Sequence, residues 1–93
     1  MAYFALFYDV VDNFADKRTP FRPAHLKMVR DGYGSGELVL GGALQEPPGA
    51  LLVFKTDDRA VVERFVATDP YVTSGLVTRW TIRRWNVVTG NEA

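Results

Sequence analysis

The sequence predicts one α+β domain with the element order β-α-β-β-α-β, in which two helices pack on one face of four antiparallel strands. Three observations predict this class. The 93 residues fit a single domain spanning 1–93, and no repeat, low-complexity tract or long linker divides it. Two segments carry apolar residues at helical spacing. Four short apolar segments alternate with them in the order that the class requires.

The first strand is predicted from Tyr3 to Asp9, with apolar residues on both faces, so both sides should be buried. A polar connection runs from Val10 to Thr19. Thr19-Pro20 opens the first helix, because threonine caps helices and proline fits a first turn. The apolar stripe of this helix is Leu26, Val29 and Tyr33, and the glycines at 32, 34 and 36 end it.

The second strand is predicted from Glu37 to Leu44 and contains the pair Gly41-Gly42. Glycines inside a strand mark either a β-bulge or a place where a ligand approaches the backbone, and both readings stay open here. In the second reading, Gly42 lines a substrate pocket. Gln45 to Gly49 predicts a turn, and Ala50 to Lys55 predicts a third strand that is apolar on both faces.

Asp57 or Asp58 caps the second helix, whose buried stripe is Val61, Val62, Phe65 and Val66. Pro70 ends this helix, since a residue before proline is pushed out of helical geometry. One further short turn between Pro70 and Gly75 is compatible with the pattern. The last strand is predicted over 77–88, and the tail over 89–93 should fray.

These elements describe a ferredoxin-like βαββαβ sandwich. Because the first and third strands are apolar on both sides, the sheet face opposite the helices should also be shielded from water. Large exposed apolar patches are unusual in monomers, so we predict a homodimer whose two sheets face each other.

Composition excludes several classes of function. Eleven basic and eleven acidic residues give zero net charge, which argues against a nucleic-acid partner although the RNA-recognition fold has the same element order. There is no cysteine and one histidine, so we predict no thiolate or transition-metal site and no cofactor. No run approaches the ~20 apolar residues of a membrane span, and no signal peptide is visible. A cytoplasmic protein without a membrane partner is therefore expected.

Two residues are candidates for proton transfer. His25 lies in the first turns of the first helix, at the edge of its apolar stripe, and histidine titrates near neutral pH. Its alternative role is that of a helix-boundary histidine bonded to a backbone carbonyl. Asp69 precedes Pro70-Tyr71 and is either a partner that orients a histidine or a helix N-cap. These two roles do not exclude each other.

Several segments together resemble the YciI-like (YCII-related domain) family over nearly the whole chain. They are Arg22-Pro23-Ala24-His25-Leu26, Gly41-Gly42-Ala43, Ala67-Thr68-Asp69-Pro70-Tyr71 and Arg84-Trp85-Asn86-Val87-Val88. The resemblance implies a dimeric α+β barrel of ferredoxin-like subunits, with an active site built on His25 and Asp69. One member of the family is a dehydrochlorinase that acts on a chlorinated hydroxyhydroquinone.

The topology itself introduces a second candidate partner. In the plain split βαβ plan we expect both helices to run the same way, so that the start of the first and the end of the second lie at opposite ends of the sheet. A contact between His25 and Asp69 would then need a bent connection or an Asp69 from the other subunit. Asp9, at the end of the first strand, is therefore an alternative partner and a candidate substrate-binding residue.

The leading hypothesis is a small cofactor-independent enzyme of lyase or isomerase type that acts on a small cyclic or aromatic molecule. His25 moves a proton, and Asp69 or Asp9 holds its imidazole. Arg22 meets an anionic oxygen of the substrate, and Tyr71 donates to a carbonyl or phenolate. The alternative is a non-catalytic metabolite-binding or accessory dimer in which His25 is structural.

Overall fold

A computed structural model describes residues 2–90 and has the predicted succession of strands and helices. Its elements are β1 (Tyr3–Val10), α1 (Phe14–Lys17), a 3-10 turn (Thr19–Phe21), α2 (Arg22–Ser35), β2 (Leu38–Gln45), β3 (Pro48–Lys55), α3 (Arg59–Thr68), α4 (Pro70–Thr73) and β4 (Val77–Trp85). The strands form one antiparallel sheet in the order β2-β3-β1-β4. The chain therefore has the ferredoxin-like α+β fold that its sequence predicts.

The core lies between the sheet and the helices and is built mainly on β1. Phe4, Leu6 and Tyr8 alternate toward the helices and are all buried. Leu6 pairs across the sheet with Leu52 and with Ile82, so one apolar row crosses the three strands β3, β1 and β4. The predicted burial of β1 on both sides is confirmed for Ala5, which faces the opposite way and is also buried.

The prediction that both helices run in the same direction is wrong. β3 is antiparallel to β1, so the helices that follow these two strands also run in opposite directions. α2 begins at the end of the sheet where β1 ends, and α3 finishes at that same end. The start of the first long helix and the end of the second are therefore neighbours, and neither a bent connection nor a second subunit is needed to bring them together.

The first helical region differs from its prediction in two places. The segment predicted as a polar connection contains α1, a single turn whose Phe14 is buried in the core. Tyr33 is predicted in the buried stripe but is 68% exposed. None of the residues of α2 is fully buried, because helical spacing identifies the side that faces the sheet but not the depth of its burial. Gly36 ends the helix as predicted, with a positive φ of 84° that glycine adopts without strain.

Of the two interpretations left open for the paired glycines, the pairing of the β2–β3 hairpin does not show the β-bulge. The irregular pairing lies between Leu38 and Leu40, whereas Gly41 pairs regularly with Leu52. Gly49 is the glycine that the fold requires, since a Cβ atom there would lie 2.6 Å from the Tyr8 carbonyl oxygen.

The remaining boundaries shift by a few residues. The predicted turn over 45–49 is shortened, because β3 already starts at Pro48. β4 ends at Trp85, three residues before the predicted end of the strand at Val88. Of the tail that we predicted over 89–93, residues 91–93 lie outside the described part. Within residues 2–90, no helix combines the length and hydropathy needed to cross a bilayer.

Candidate active site

The meeting point of the two long helices holds His25 and Asp69 of the same chain in direct contact. The His25 Nδ1 atom lies 2.8 Å from Asp69 Oδ1. The side chain of Asp69 is fully buried, while 12% of the His25 side chain is exposed. Since a carboxylate oxygen only accepts, Nδ1 donates and Nε2 is the nitrogen available to a ligand. The structure thus pairs His25 with Asp69 and not with Asp9.

Asp69 is placed by the local chemistry of the Asp-Pro sequence. Pro70 forces the preceding residue out of helical geometry, so Asp69 is extended (φ −65°, ψ 121°) and ends α3. Its Oδ1 atom also accepts the backbone N–H of Tyr71 at 3.0 Å, which caps α4. The capping role and the histidine-partner role predicted for Asp69 therefore occur together.

Tyr8 supplies the third hydrogen bond to this carboxylate. Its hydroxyl donates to Asp69 Oδ2 at 2.7 Å, and its side chain is buried beneath the site. Burial raises the pKa of Tyr8 far above its usual 10, and the neighbouring Asp69 charge raises it further. Tyr8 consequently stays a hydrogen-bond donor throughout the ordinary pH range.

Sequence reasoning missed this role of Tyr8, which it treated only as an apolar strand residue. A signal was present in the sequence. Tyr8 shares the helix-facing side of its strand with Phe4 and Leu6 and lies at the end where the first helix begins. A buried tyrosine hydroxyl there needs an acceptor.

Tyr71 and Phe14 form an aromatic wall beside the histidine. The His25 and Tyr71 rings are stacked, with centroids 3.8 Å apart and planes 13° apart. The Phe14 ring meets Tyr71 edge-on at 5.1 Å, and the Arg18 guanidinium lies 5.6 Å from the centre of Phe14. The imidazole is therefore fixed in two ways, by the hydrogen bond to Asp69 and by the stack on Tyr71.

Burial and neighbouring charges change the pKa of the Tyr71 hydroxyl in opposite directions. Burial raises its pKa above the usual 10, and the charges of Arg18 and Arg22 act against this rise. Because the net direction is upward, Tyr71 keeps its proton at neutral pH and can donate it to an oxygen of a ligand.

A pocket of about 280 Å³ opens in front of this wall, between α2 and the β2–β3 hairpin. Its lining comprises Phe14, Arg18, Arg22, His25, Leu26, Val29, Gly41, Gly42, Ala43, Gly49, Ala50, Leu52 and Tyr71. The volume lies at the small end of the range for ligand sites and suits a single-ring molecule. The pocket combines a mainly apolar interior with a few convergent polar side chains.

Most of the residues selected from the sequence converge on this pocket. Arg22, His25, Gly42 and Tyr71 line it, and Asp69 lies directly behind His25. Asp9 is exposed and absent from the lining, so its expected place beside His25 is wrong. Phe14 and Arg18 were not selected, because the segment that carries them was taken as an irregular connection.

No metal-ligand set converges in the described part of the chain. Nowhere within it do three or more histidine, aspartate or glutamate side chains come together in a way that could hold a metal ion. What the pocket offers chemically is an imidazole nitrogen backed by a carboxylate, a phenolic donor and two guanidinium groups.

Comparisons with solved structures identify two proteins that share this fold. The chain is similar to 5-chloro-2-hydroxyhydroquinone dehydrochlorinase from Burkholderia phenoliruptrix, solved in complex with 2,5-dihydroxybenzoquinone, with a TM-score of 0.76 and 19% identity. That match covers 90% of this chain and 93% of the other. The chain is also similar to an antibiotic biosynthesis monooxygenase, with a TM-score of 0.56 and 14% identity over 95% of this chain and 99% of the other.

Sequence comparisons give the family. No curated protein matches the chain. A family model of the YCII-related domain does match it, over residues 1–86. That range takes in all the strands and helices described above and every residue of the pocket, and on this evidence the chain belongs to the YCII-related domain family.

Proposed function

We propose that this protein is a small enzyme of the lyase or isomerase type in which His25 and Asp69 act as an acid–base pair on a small cyclic or aromatic metabolite. The contact between His25 Nδ1 and Asp69 Oδ1 carries this proposal. Asp69 holds the imidazole with Nε2 unprotonated and available to the pocket. When Nε2 takes a proton, the buried carboxylate stabilises the charged ring.

The hydrogen bonds around Asp69 support this role. Tyr8 and the backbone of Tyr71 donate to the same carboxylate that His25 contacts. They hold it in one orientation, so the imidazole is already aligned before a ligand enters. Such preorganisation is what distinguishes an acid–base pair from a histidine that only fills space.

The proposed chemistry moves a proton and requires no change of oxidation state. In an elimination, Nε2 takes a proton from the substrate, the electron pair of that bond forms a double bond, and a leaving group departs with its own pair. The Tyr71 hydroxyl would donate to a carbonyl or phenolate oxygen of the ring. General acid–base catalysis contributes typically ~10²–10⁴-fold, so the substrate must already be activated. We propose that no cofactor takes part.

The structural comparison is consistent with this class of reaction. The dehydrochlorinase with which this chain shares its fold was solved with a ring-sized quinone. The pocket described here also suits a single ring. Chlorinated hydroquinones, phenols and small lactones are therefore the first substrates to test.

The direct experiment compares His25→Ala with the intact protein on that panel. We expect turnover to fall by ~10²–10⁴-fold while the circular dichroism spectrum stays unchanged. Lys27→Ala is the matched control, because Lys27 lies on the same helix with an exposed side chain that pairs with Asp31. Equal turnover by His25→Ala and the control would eliminate the mechanism. No turnover on any compound, even with the intact protein, would favour the binding-module alternative.

We also propose that two copies associate through the open face of the sheet. Leu40, Leu44 and Trp85 are large apolar residues and lie exposed on the described chain. Strand alternation and pairing place them on the face away from the helices, around the partly buried Phe7 and Leu51. An apolar surface of this kind favours association with a second copy, in a face-to-face dimer of the barrel type.

A pair of variants with equal exposure tests the dimer. Leu40 and Tyr33 are each 68% exposed, but Leu40 belongs to the open sheet face and Tyr33 to α2. Leu40→Asp should weaken the dimer in analytical ultracentrifugation, whereas Tyr33→Asp should leave it intact. A monomeric intact protein, or equal effects of the two changes, would refute the face-to-face dimer.

A further inference from the structure

We propose that Arg18 and Arg22 form an anion-binding subsite of the pocket, and that the ligand is a single-ring acid whose carboxylate these two arginines hold. The proposal deepens the proposed function by naming the substrate class of the same site. The position of the subsite follows from the pocket lining and does not depend on whether His25 is catalytic. The binding experiment below therefore does not require catalysis.

The first support is an uncompensated pair of positive charges. Both arginines line the pocket, and the lining contains no aspartate or glutamate. Within residues 2–90, the ion pairs are His25–Asp69, Lys27–Asp31 and Arg59–Glu63, so neither pocket arginine has a carboxylate partner. Asp69 cannot serve, because it is fully buried behind His25 and occupied by three donors.

The chain path places the two guanidinium groups and the imidazole along one surface. Residues 14–17, 19–21 and 22–35 are nearly consecutive helical turns. Within α2, Arg22, His25 and Val29 follow at spacings of three and four, which keeps them on one side of the helix. Arg18, in the turn that precedes α2, lines the same pocket.

Both arginines line the pocket together with the aromatic wall, and Arg18 contacts that wall directly. Arg18 lies over the ring of Phe14 at 5.6 Å, and Phe14 in turn packs on Tyr71. Arg22 lines the same pocket as Tyr71, and its charge acts to lower the pKa of the Tyr71 hydroxyl. Contact with an aromatic face restricts a guanidinium without neutralising it, so the charge remains available to a ligand.

The rest of the pocket fits the body of a ring. Leu26, Val29 and Leu52 supply apolar side chains. Gly41 and Gly42 supply a floor without side chains, and a Cβ at Gly41 would come within 3.6 Å of Leu52. A flat ring can lie on this surface with its carboxylate toward the arginines and its opposite edge toward His25.

A carboxylate matches the subsite better than a phenol does. A carboxylate is ionised at neutral pH and presents two oxygens that accept from planar guanidinium groups. A simple phenol, with a pKa near ~10, is neutral at the same pH and leaves both arginines uncompensated. The charged carboxylate therefore selects among ring compounds of similar size.

Binding of benzoate, benzamide and phenol to the intact 93-residue chain tests the proposal. Titrations are followed by the NMR signals of the single imidazole, that of His25. We expect benzoate to bind at least about tenfold more tightly than its neutral isostere benzamide or phenol, and added salt to weaken it. Arg18→Gln and Arg22→Gln should each reduce benzoate affinity by about tenfold or more. Arg30→Gln, on the same helix but outside the pocket lining, is the matched control and should bind normally.

Several results would overturn the subsite: equal affinity for benzoate and benzamide, tighter binding of phenol, no benzoate binding at all, or equal behaviour of the three arginine variants. The catalytic proposal is judged separately. If His25→Ala keeps full turnover while the arginine variants lose benzoate, the acid–base mechanism fails and the anion subsite stands. If His25→Ala loses turnover while the arginine variants bind benzoate normally, the anion subsite fails and the acid–base mechanism stands.

Discussion

Removing one hydroxyl from the buried side of the site, by Tyr8→Phe, tests the hydrogen-bond network most sharply. The Tyr8 hydroxyl is the donor found at 2.7 Å from Asp69 Oδ2 in the described part of the structure, while Oδ1 receives His25 and Tyr71. The change keeps the ring and its packing. It leaves one oxygen of a fully buried carboxylate without its donor.

The expected magnitude follows from that geometry. Hydrogen bonds to charged groups contribute about 1.5–3 kcal/mol, and an unsatisfied buried acceptor costs a similar amount. We therefore expect the free energy of unfolding at pH 7 to fall by about 2–3 kcal/mol. For a domain of this size, each kcal/mol shifts Tm by roughly 4–8 °C, so the melting temperature should fall by on the order of 10–20 °C.

Urea denaturation followed by circular dichroism, at one fixed protein concentration, measures the change. Tyr33→Phe is the matched control, since it removes the same hydroxyl from a side chain that is 68% exposed. The control should change stability by less than about 0.5 kcal/mol. If Tyr8→Phe and Tyr33→Phe behave alike, the bond between Tyr8 and Asp69 does not stabilise the fold as argued.

Three further outcomes are expected. The pKa of Tyr8 is raised in the folded state above its usual 10, so the stabilisation by Tyr8 is complete below about pH 10 and is lost as the pH rises beyond it. Urea denaturation from pH 9 to 11 should show a free energy of unfolding that declines with pH, and the decline should be shallower in Tyr8→Phe by up to about 1.4 kcal/mol per pH unit. Parallel curves for the two proteins would contradict this. Gly49→Ala should destabilise the protein by about 1–3 kcal/mol, because the added Cβ would lie 2.6 Å from the Tyr8 carbonyl oxygen. Gly42→Ala is the control, since a Cβ there would meet nothing within 4 Å, and equal urea midpoints for the two variants would contradict the close approach at Gly49. Asp69→Asn should lower both turnover and thermal stability, since it removes the negative charge to which the imidazole and the Tyr8 hydroxyl are hydrogen-bonded. A variant with normal turnover would show that catalysis does not depend on the charge of this carboxylate.

The site shows how one acidic residue serves two purposes. Asp69 caps the short helix α4 and also orients His25, because its two oxygens offer more acceptor positions than a cap requires. In the sequence, the Asp-Pro pair indicates the helix N-cap more strongly than the histidine partner. A helix cap is a local pattern within three residues, whereas the contact with His25 spans 44 positions of the chain.

The errors of sequence reasoning have identifiable physical causes. Asp9 was considered as a partner because the directions of the two helices were taken to be equal, although the antiparallel pairing of β1 and β3 makes them opposite. Helical spacing wrongly predicts Tyr33 in the buried stripe, because it identifies a face of the helix but not how deeply that face is buried. Phe14 and Arg18 were passed over because a single helical turn leaves almost no periodic signal.

The sequence by itself determined the order of the four strands and the two long helices, and the selection of His25, Arg22, Tyr71 and Asp69. These depend on apolar periodicity, on helix-ending residues and on family motifs, all of which act over short stretches of chain. Only the tertiary structure decided that Asp69 faces His25, that Tyr8 supports it from beneath and that Arg18 joins Arg22 at the pocket. Those contacts join side chains from separate strands and helices, and their distances depend on how the helices pack across the sheet, which no local pattern encodes.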